Sequence, residues 1–307
     1  MPELPQKPLK ARYFTPAAAE FPTSGVMSTH SRRSGRPPLL PRRGDPASVP
    51  VLARRSSDAM SDENNLLPES PVEGLIPTMN KTGWMTESLD AYSEDFAAFA
   101  GKIGKEGEQS LDMGCAYGVA TLAALDQGAR IFACDIEPKH LAVLEKRIPD
   151  EQRDRFESKP GALPAVDFDA ASFGAILASR VLHFLDGPQI EKTVAKMFTW
   201  LKPGGRLYLV ADTPYTGPWY IHAETYEQKK AAGDPWPGFV DDYAGLLPEG
   251  TDPEGHPDFI NPLDPDILER VCKAAGFDII SAEILSGSTS YAKGNEHAGI
   301  IAVKPGG

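Results

Sequence analysis

Cysteine is scarce in this 307-residue chain. Cys115, Cys134 and Cys272 have neither CxxC nor zinc-ligand spacing, which excludes a disulfide framework and fits a reducing, cytoplasmic setting. No paired His or carboxylate cluster has ligand spacing, so no metal is expected. No apolar run reaches about 18 residues, so no membrane-spanning helix is expected. An apolar signal-peptide core near Met1 is also missing. Positive charge is short beyond residue 60. Residues 1–60 hold ten Lys/Arg against four acids while the whole chain carries −12, which leaves −18 on residues 61–307. A body that acidic repels phosphate unless a basic face offsets it, and none is visible. Neither nucleic acid nor a membrane is the expected partner. Oligomeric state has no signature here.

The 41% hydrophobic content supports a real core, and the length suits one large domain with extensions. Residues 1–75 are rich in Pro, Arg, Ser and Ala without helical or strand periodicity. Such a segment buries too little apolar surface to offset its ordering entropy, so a disordered tail is expected. A transit segment, a nucleic-acid arm, or a true start at Met27 or Met60 are the other readings. The domain is expected over residues 76–307, folding from about Lys81.

The informative stretch is Ser110–Glu137, SLDMGCAYGVATLAALDQGARIFACDIE. It reads as strand, small-residue turn, helix Val119–Gln127, and a second apolar strand ending at Asp135. Gly114, Ala116 and Gly118 keep the turn slim enough for close backbone approach to a ligand. Asp135 follows the turn by about 20 residues, the separation at which an acid reaches a ribose hydroxyl. One β-α-β unit thus offers a nucleoside site in outline.

Around it, Met85, Leu89, Tyr92, Phe96 and Phe99 predict a helix over about 86–102. Trp84 and Tyr92 are core or cofactor-facing aromatics. Further helices are expected over 138–148, 188–201 and from Pro265 to Gly276, and strands at 155–158, 173–181, 206–211, 278–285 and 298–303. Lys202-Pro203-Gly204-Gly205 reads as a break between helix and strand. Strands alternating with helices predict an α/β, doubly wound, mostly parallel seven-stranded sheet that binds ligands at the carboxyl ends of its strands. Residues 213–260 interrupt the alternation with eight aromatics and nine acids against Lys229 and Lys230, and predict a lid insert. Rings with carboxylates suit a neutral or cationic small molecule; a solvated acidic surface is the plainer reading.

The runs LDMGCAYG, CDIE, ALPAVDFDAASFGAILASRVLHFL and LKPGGRLYLV resemble, in order and spacing, the class I S-adenosylmethionine-dependent methyltransferases, small-molecule type. The resemblance covers roughly residues 85–212. It implies a Rossmann-like methyltransferase fold, S-adenosylmethionine as cofactor, and methyl transfer to a small acceptor. By position it implies that Gly114, Cys115, Ala116, Tyr117 and Gly118 pack on the methionine part, with Asp112 near its amino group. Asp135 would take the ribose hydroxyls and Ile136 would pack on adenine. Ala162 and Leu163 would border the adenine edge, and Ser179 and Arg180 would lie under the sulfonium. The sequence departs from the family where Ala116 replaces a frequent glycine, where Gly174 replaces a frequent acid, and where no acid immediately precedes Ala162.

The residues themselves leave alternatives open. Asp135 is a ribose ligand or a helix cap, and Asp112 a cofactor contact or a turn acid. Methyl transfer is an in-line displacement that needs alignment, plus proton removal where the acceptor carries one. His183 follows the fourth strand of the alternation as a candidate base or as pocket lining. His222, Tyr215 and Tyr220 are rival acceptor-side groups, and Asp212 is an amine partner or a turn cap. An NAD-dependent Rossmann oxidoreductase and a nucleoside-binding protein without turnover are the competing functions.

Overall fold

Leu75–Pro77 (β1) and Trp84–Thr86 (β2) pair antiparallel, apart from the main sheet of this computed structural model. The structure describes residues 66–70, 74–80, 83–243, 257–286 and 294–306, all within one compact unit. Residues 1–65 of the expected tail and 244–256 of the expected insert lie outside the described residues. Strand pairing begins ahead of the expected start near Lys81, because a three-residue strand pair carries no periodicity to read.

The first helix, α1 (Ala91–Gly104), starts later than its apolar stripe suggests. The Asp90 carboxylate accepts from the Tyr92 and Ser93 N–H groups at 3.0 and 2.9 Å and so sets the first turn. Thr86, expected in this helix, belongs to β2. The alternation then runs β3 (Gln109–Met113), α2 (Val119–Asp126), β4 (Arg130–Asp135), α3 (Pro138–Arg147), β5 (Phe156–Pro160) and β6 (Phe173–Ser179). It continues with α4 (Gly187–Trp200), β7 (Leu201–Asp212), α5 (Ala223–Ala231), α6 (Pro265–Ala275), β8 (Asp278–Leu285) and β9 (His297–Val303).

The seven strands β3–β9 form one sheet in the order β5-β4-β3-β6-β7-β9-β8. Neighbours are parallel except β9, which runs antiparallel to both β7 and β8. The expected seven-stranded, mostly parallel, Rossmann-like sheet is therefore observed. The Lys202–Gly205 run is a correction. It lies inside β7, where the Gly204 N–H donates to the Lys304 carbonyl and the Lys304 N–H to that of Gly205. A register shift between Phe173 and Ala175 absorbs the irregularity.

Successive strand residues feed opposite layers, as the pleat requires. Ala175 and Leu177 of β6 join Phe96, Ala100, Leu125, Leu141 and Leu144 on the α1–α2–α3 side. Ile176 and Ala178 join Ile190, Met197, Trp200, Leu268 and Val271 on the α4–α6 side. Tyr92 belongs to the first layer, its hydroxyl 2.6 Å from both Ser281 Oγ and Glu283 Oε1, so it is a core residue. Among the described residues no helix is long and apolar enough to cross a membrane, and no group of His, Cys, Asp and Glu is placed to hold a metal.

Candidate active site

The carboxyl ends of β3, β4, β6 and β7 converge on one rim. After β3 the chain turns sharply: the N–H groups of Gly114 and Cys115 both donate to the Cys134 carbonyl, at 2.7 and 3.2 Å. Gly114 has φ +78°, and a Cβ there would stand 2.3 Å from Val181 Cγ2. Gly118, with φ +81°, caps α2 against Leu144 in the same way. The glycines are expected to keep the turn slim for a ligand; their α-carbons also pack against the protein's own Val181 and Leu144. Ala116, at φ +44°, is a left-handed non-glycine residue, a conformation costing roughly 1–2 kcal/mol. Its N–H donates to Asp135 Oδ2 at 2.8 Å, which holds the turn against the end of β4.

Asp135 is 4% exposed and already rich in partners. Oδ1 lies 2.9 Å from both the donating Glu137 N–H and His140 Nδ1. Three donors leave roughly one of the carboxylate's four acceptor positions. Ile136, next in the chain, is 61% exposed, an apolar side chain presented to solvent at the rim. Asp112 is also buried and accepts from the Thr121 hydroxyl at 2.6 Å. Burial raises its pKa to about 6, with Thr121 opposing and the Asp135 charge adding to the rise. No cation pairs with it among the described residues. Cys115 and Tyr117 are buried; burial raises the Cys115 thiol well above its ordinary range and the Tyr117 phenol to about 12, so neither is a ready nucleophile.

The loop after β5 closes on β4 through the Gly161 N–H, which donates to the Asp135 carbonyl at 2.9 Å. This sets Ala162 and Leu163 on the same rim, both half-buried. Ser179 ends β6. Arg180 follows in the left-handed region at φ +56°, with its guanidinium donating to Thr86 Oγ1 of β2 at 2.5 Å.

His183 does not present a free base. It is 2% exposed, and its Nδ1 accepts the Asp212 N–H at 3.2 Å. In neutral imidazole the other nitrogen then carries the proton, so the ring's lone pair is spoken for. Burial, with Arg180 and His297 adding to it, lowers its pKa to about 4. Its ring packs on Phe184 and Trp219 instead. Burial pushes the Asp212 carboxyl up, yet His183, His297 and Arg180 together hold it below its ordinary range. His297 Nδ1 lies 2.9 Å from Asp212 Oδ1.

Of the insert, Tyr215 hydrogen-bonds Glu227, and burial and that carboxylate raise its pKa to about 12. His222 lines a cavity of ≈ 10 Å³ with Tyr226, Val240 and Pro262. That volume holds about one water and no methyl acceptor. The structure thus gathers the cofactor-side candidates on one rim and places the three catalytic candidates in packed or hydrogen-bonded surroundings. Sequence reading missed Thr121, His140 and the β1–β2 hairpin. A histidine five residues past the strand-end acid, near the start of α3, was the available signal for His140.

Residues 111–209 match the family model described as a methyltransferase domain. Over 111 residues the chain is 33% identical to the cypemycin N-terminal methyltransferase of a Streptomyces species, covering 36% of this chain and 44% of that protein. Over 103 residues it is 30% identical to an uncharacterized methyltransferase of Mycobacterium tuberculosis, covering 34% and 39% of the two chains. The chain thus spans less than half the length of these relatives. The fold is similar to that of a SAM-dependent methyltransferase from Methanosarcina mazei, with TM-score 0.50 at 21% identity over 65% of this chain and 93% of that one.

Proposed function

We propose that this chain, which carries a class I S-adenosylmethionine-dependent methyltransferase domain, transfers a methyl group from that cofactor to a small-molecule acceptor by in-line displacement. The observation that carries the reading is the join between the Gly114–Gly118 turn and the strand-end acid, Ala116 N–H to Asp135 Oδ2, on neighbouring parallel strands. The antiparallel β9 beside β7 departs from the dinucleotide-binding strand order and gives an NAD-dependent oxidoreductase no support.

The residues fit the cofactor's parts. Asp112 is a buried carboxylate without a cation, suited to an ammonium group. Asp135 retains an acceptor position for a ribose hydroxyl, and exposed Ile136 offers an apolar face to adenine. Ala162 and Leu163 would flank that face, and Ser179 and Arg180 would stand below the sulfur. When bound, the cofactor supplies an electrophilic methyl group with its own leaving group. The protein's part is alignment and exclusion of water. His183, buried and of low basicity, supports the wall beneath the acceptor and takes no proton in this reading. The acidic, aromatic insert favours a neutral or cationic acceptor, an amine among them. The named Streptomyces relative is an N-terminal methyltransferase, which agrees with an amine.

Calorimetry with S-adenosylhomocysteine and with NAD tests the donor, and product formation over a panel of amines and alcohols tests turnover. Binding of the first ligand and not the second is expected; tight NAD binding would sink the proposal.

Asp112 gives a pH test with opposite signs in two readouts. Above about pH 6 it is ionised and pairs with the ammonium, so affinity for S-adenosylhomocysteine should fall as pH drops through 6. Its raised pKa means the unliganded fold prefers the protonated acid, so this group's contribution to stability is lost as pH rises through 6. Asp112→Asn should weaken affinity at pH 8 about tenfold without lowering the thermal midpoint. Equal affinity of wild type and variant from pH 5 to 8 would remove Asp112 from the site.

A further inference from the structure

We infer that His140 is a positioning residue that couples closure of the β1–β2 hairpin to the cofactor's ribose site, an inference that rests on the methyl-donor reading above. His140 is 1% exposed and lies between two partners that belong to different parts of the chain. On one side the Met79 backbone N–H donates to Nε2 at 2.8 Å. On the other, Nδ1 stands 2.9 Å from Asp135 Oδ1. The Met79 donor requires a lone pair on Nε2, so the ring proton resides on Nδ1 and points at the carboxylate. A backbone amide that follows β1 thereby fixes the tautomer of the side chain that orients the ribose acid.

The hairpin seats on two more site residues. Tyr117 of the turn donates its hydroxyl to the Pro77 carbonyl at 2.9 Å, and its ring meets that of His140 edge-on at 4.8 Å. Arg180 donates to Thr86 Oγ1 at the far end of β2. Through Pro77, Met79 and Thr86 the hairpin therefore touches the turn, the helix after the ribose acid, and the residue after β6. The pair itself is small, with three residues per strand, too little to hold its place without these contacts. Contacts shared in this way impose reciprocity. If the seated hairpin fixes Asp135 for the ribose, occupancy of the ribose site must favour the seated hairpin by the same factor.

Amide hydrogen exchange over residues 75–86, with and without saturating S-adenosylhomocysteine, reads this coupling directly. In the wild type the ligand should raise protection of the hairpin, Met79 included, about tenfold. His140→Phe keeps a ring of similar shape but neither nitrogen. It should bind S-adenosylhomocysteine about tenfold more weakly, and its hairpin protection should respond to ligand less than about twofold. His140→Asn, which keeps a short donor toward Asp135 but does not reach Met79, should recover affinity and leave the exchange response lost. A merely structural histidine would show neither this separation nor the rescue. If His140→Phe fails to fold, the wild-type exchange response and His140→Asn decide the matter. Wild-type binding with unchanged hairpin protection overturns this inference alone. Failure of the wild type to bind S-adenosylhomocysteine would remove the donor reading and this inference with it.

Discussion

Asp135→Ala is expected to weaken affinity for S-adenosylhomocysteine at least tenfold, about 1.4 kcal/mol, and to lower the stability of the whole fold. The carboxylate is more than a ribose ligand in waiting. It accepts from Ala116 N–H and Glu137 N–H and faces His140 Nδ1. Alanine leaves the buried His140 donor unmatched, at roughly 1–3 kcal/mol before relaxation, and takes the partner from the part-buried Ala116 and Glu137 N–H groups. The strained Ala116 loses the bond that holds it, so the turn and the ribose site fail together. Asp135→Asn separates the two effects. It keeps the volume and one oxygen, so the fold should recover more than the affinity does. Calorimetry and denaturant unfolding on the two variants give the comparison. Affinity unchanged in Asp135→Ala would count heavily against the donor site.

Gly114→Ala is expected to cost about 2–5 kcal/mol of stability and to abolish measurable cofactor binding at ordinary ligand concentrations. Left-handed backbone accounts for roughly 1–2 kcal/mol of that sum. Overlap accounts for the rest: the new methyl group would sit 2.3 Å from Val181 Cγ2. Val181 is β-branched and follows the packed end of β6, so its relief shifts Arg180 and the rim, typically at 1–3 kcal/mol. Gly118→Ala, at φ +81° and with its new methyl group 2.2 Å from Cδ1 of the fully buried Leu144, should cost a similar amount. Thermal unfolding of both variants tests this. A Gly114→Ala protein as stable as the wild type would show that the turn tolerates a Cβ and that its glycine answers to the ligand alone.

A slim turn between two apolar strands is legible from local sequence, and so is an acid one strand over. The occupant of the space beside the glycines is not. Val181 and Leu144 lie 67 and 26 residues beyond Gly114 and Gly118, and their contact depends on how β6 and α3 pack. His183 shows the same limit. Its place after a strand end suggested a base, but whether its lone pair is free depends on the Asp212 N–H, a partner 29 residues away at the end of β7.

Sequence by itself determined the alternation of strand and helix, the seven-stranded sheet, the acidic body and the strand-end carboxylates, because pattern periods, turn residues and caps act over a few residues. Tertiary structure alone decided which of those carboxylates are satisfied, where the histidines point, and that a short hairpin closes over the rim through Met79 and His140. Burial and hydrogen bonding between distant segments fix protonation and direction, and no local pattern encodes them.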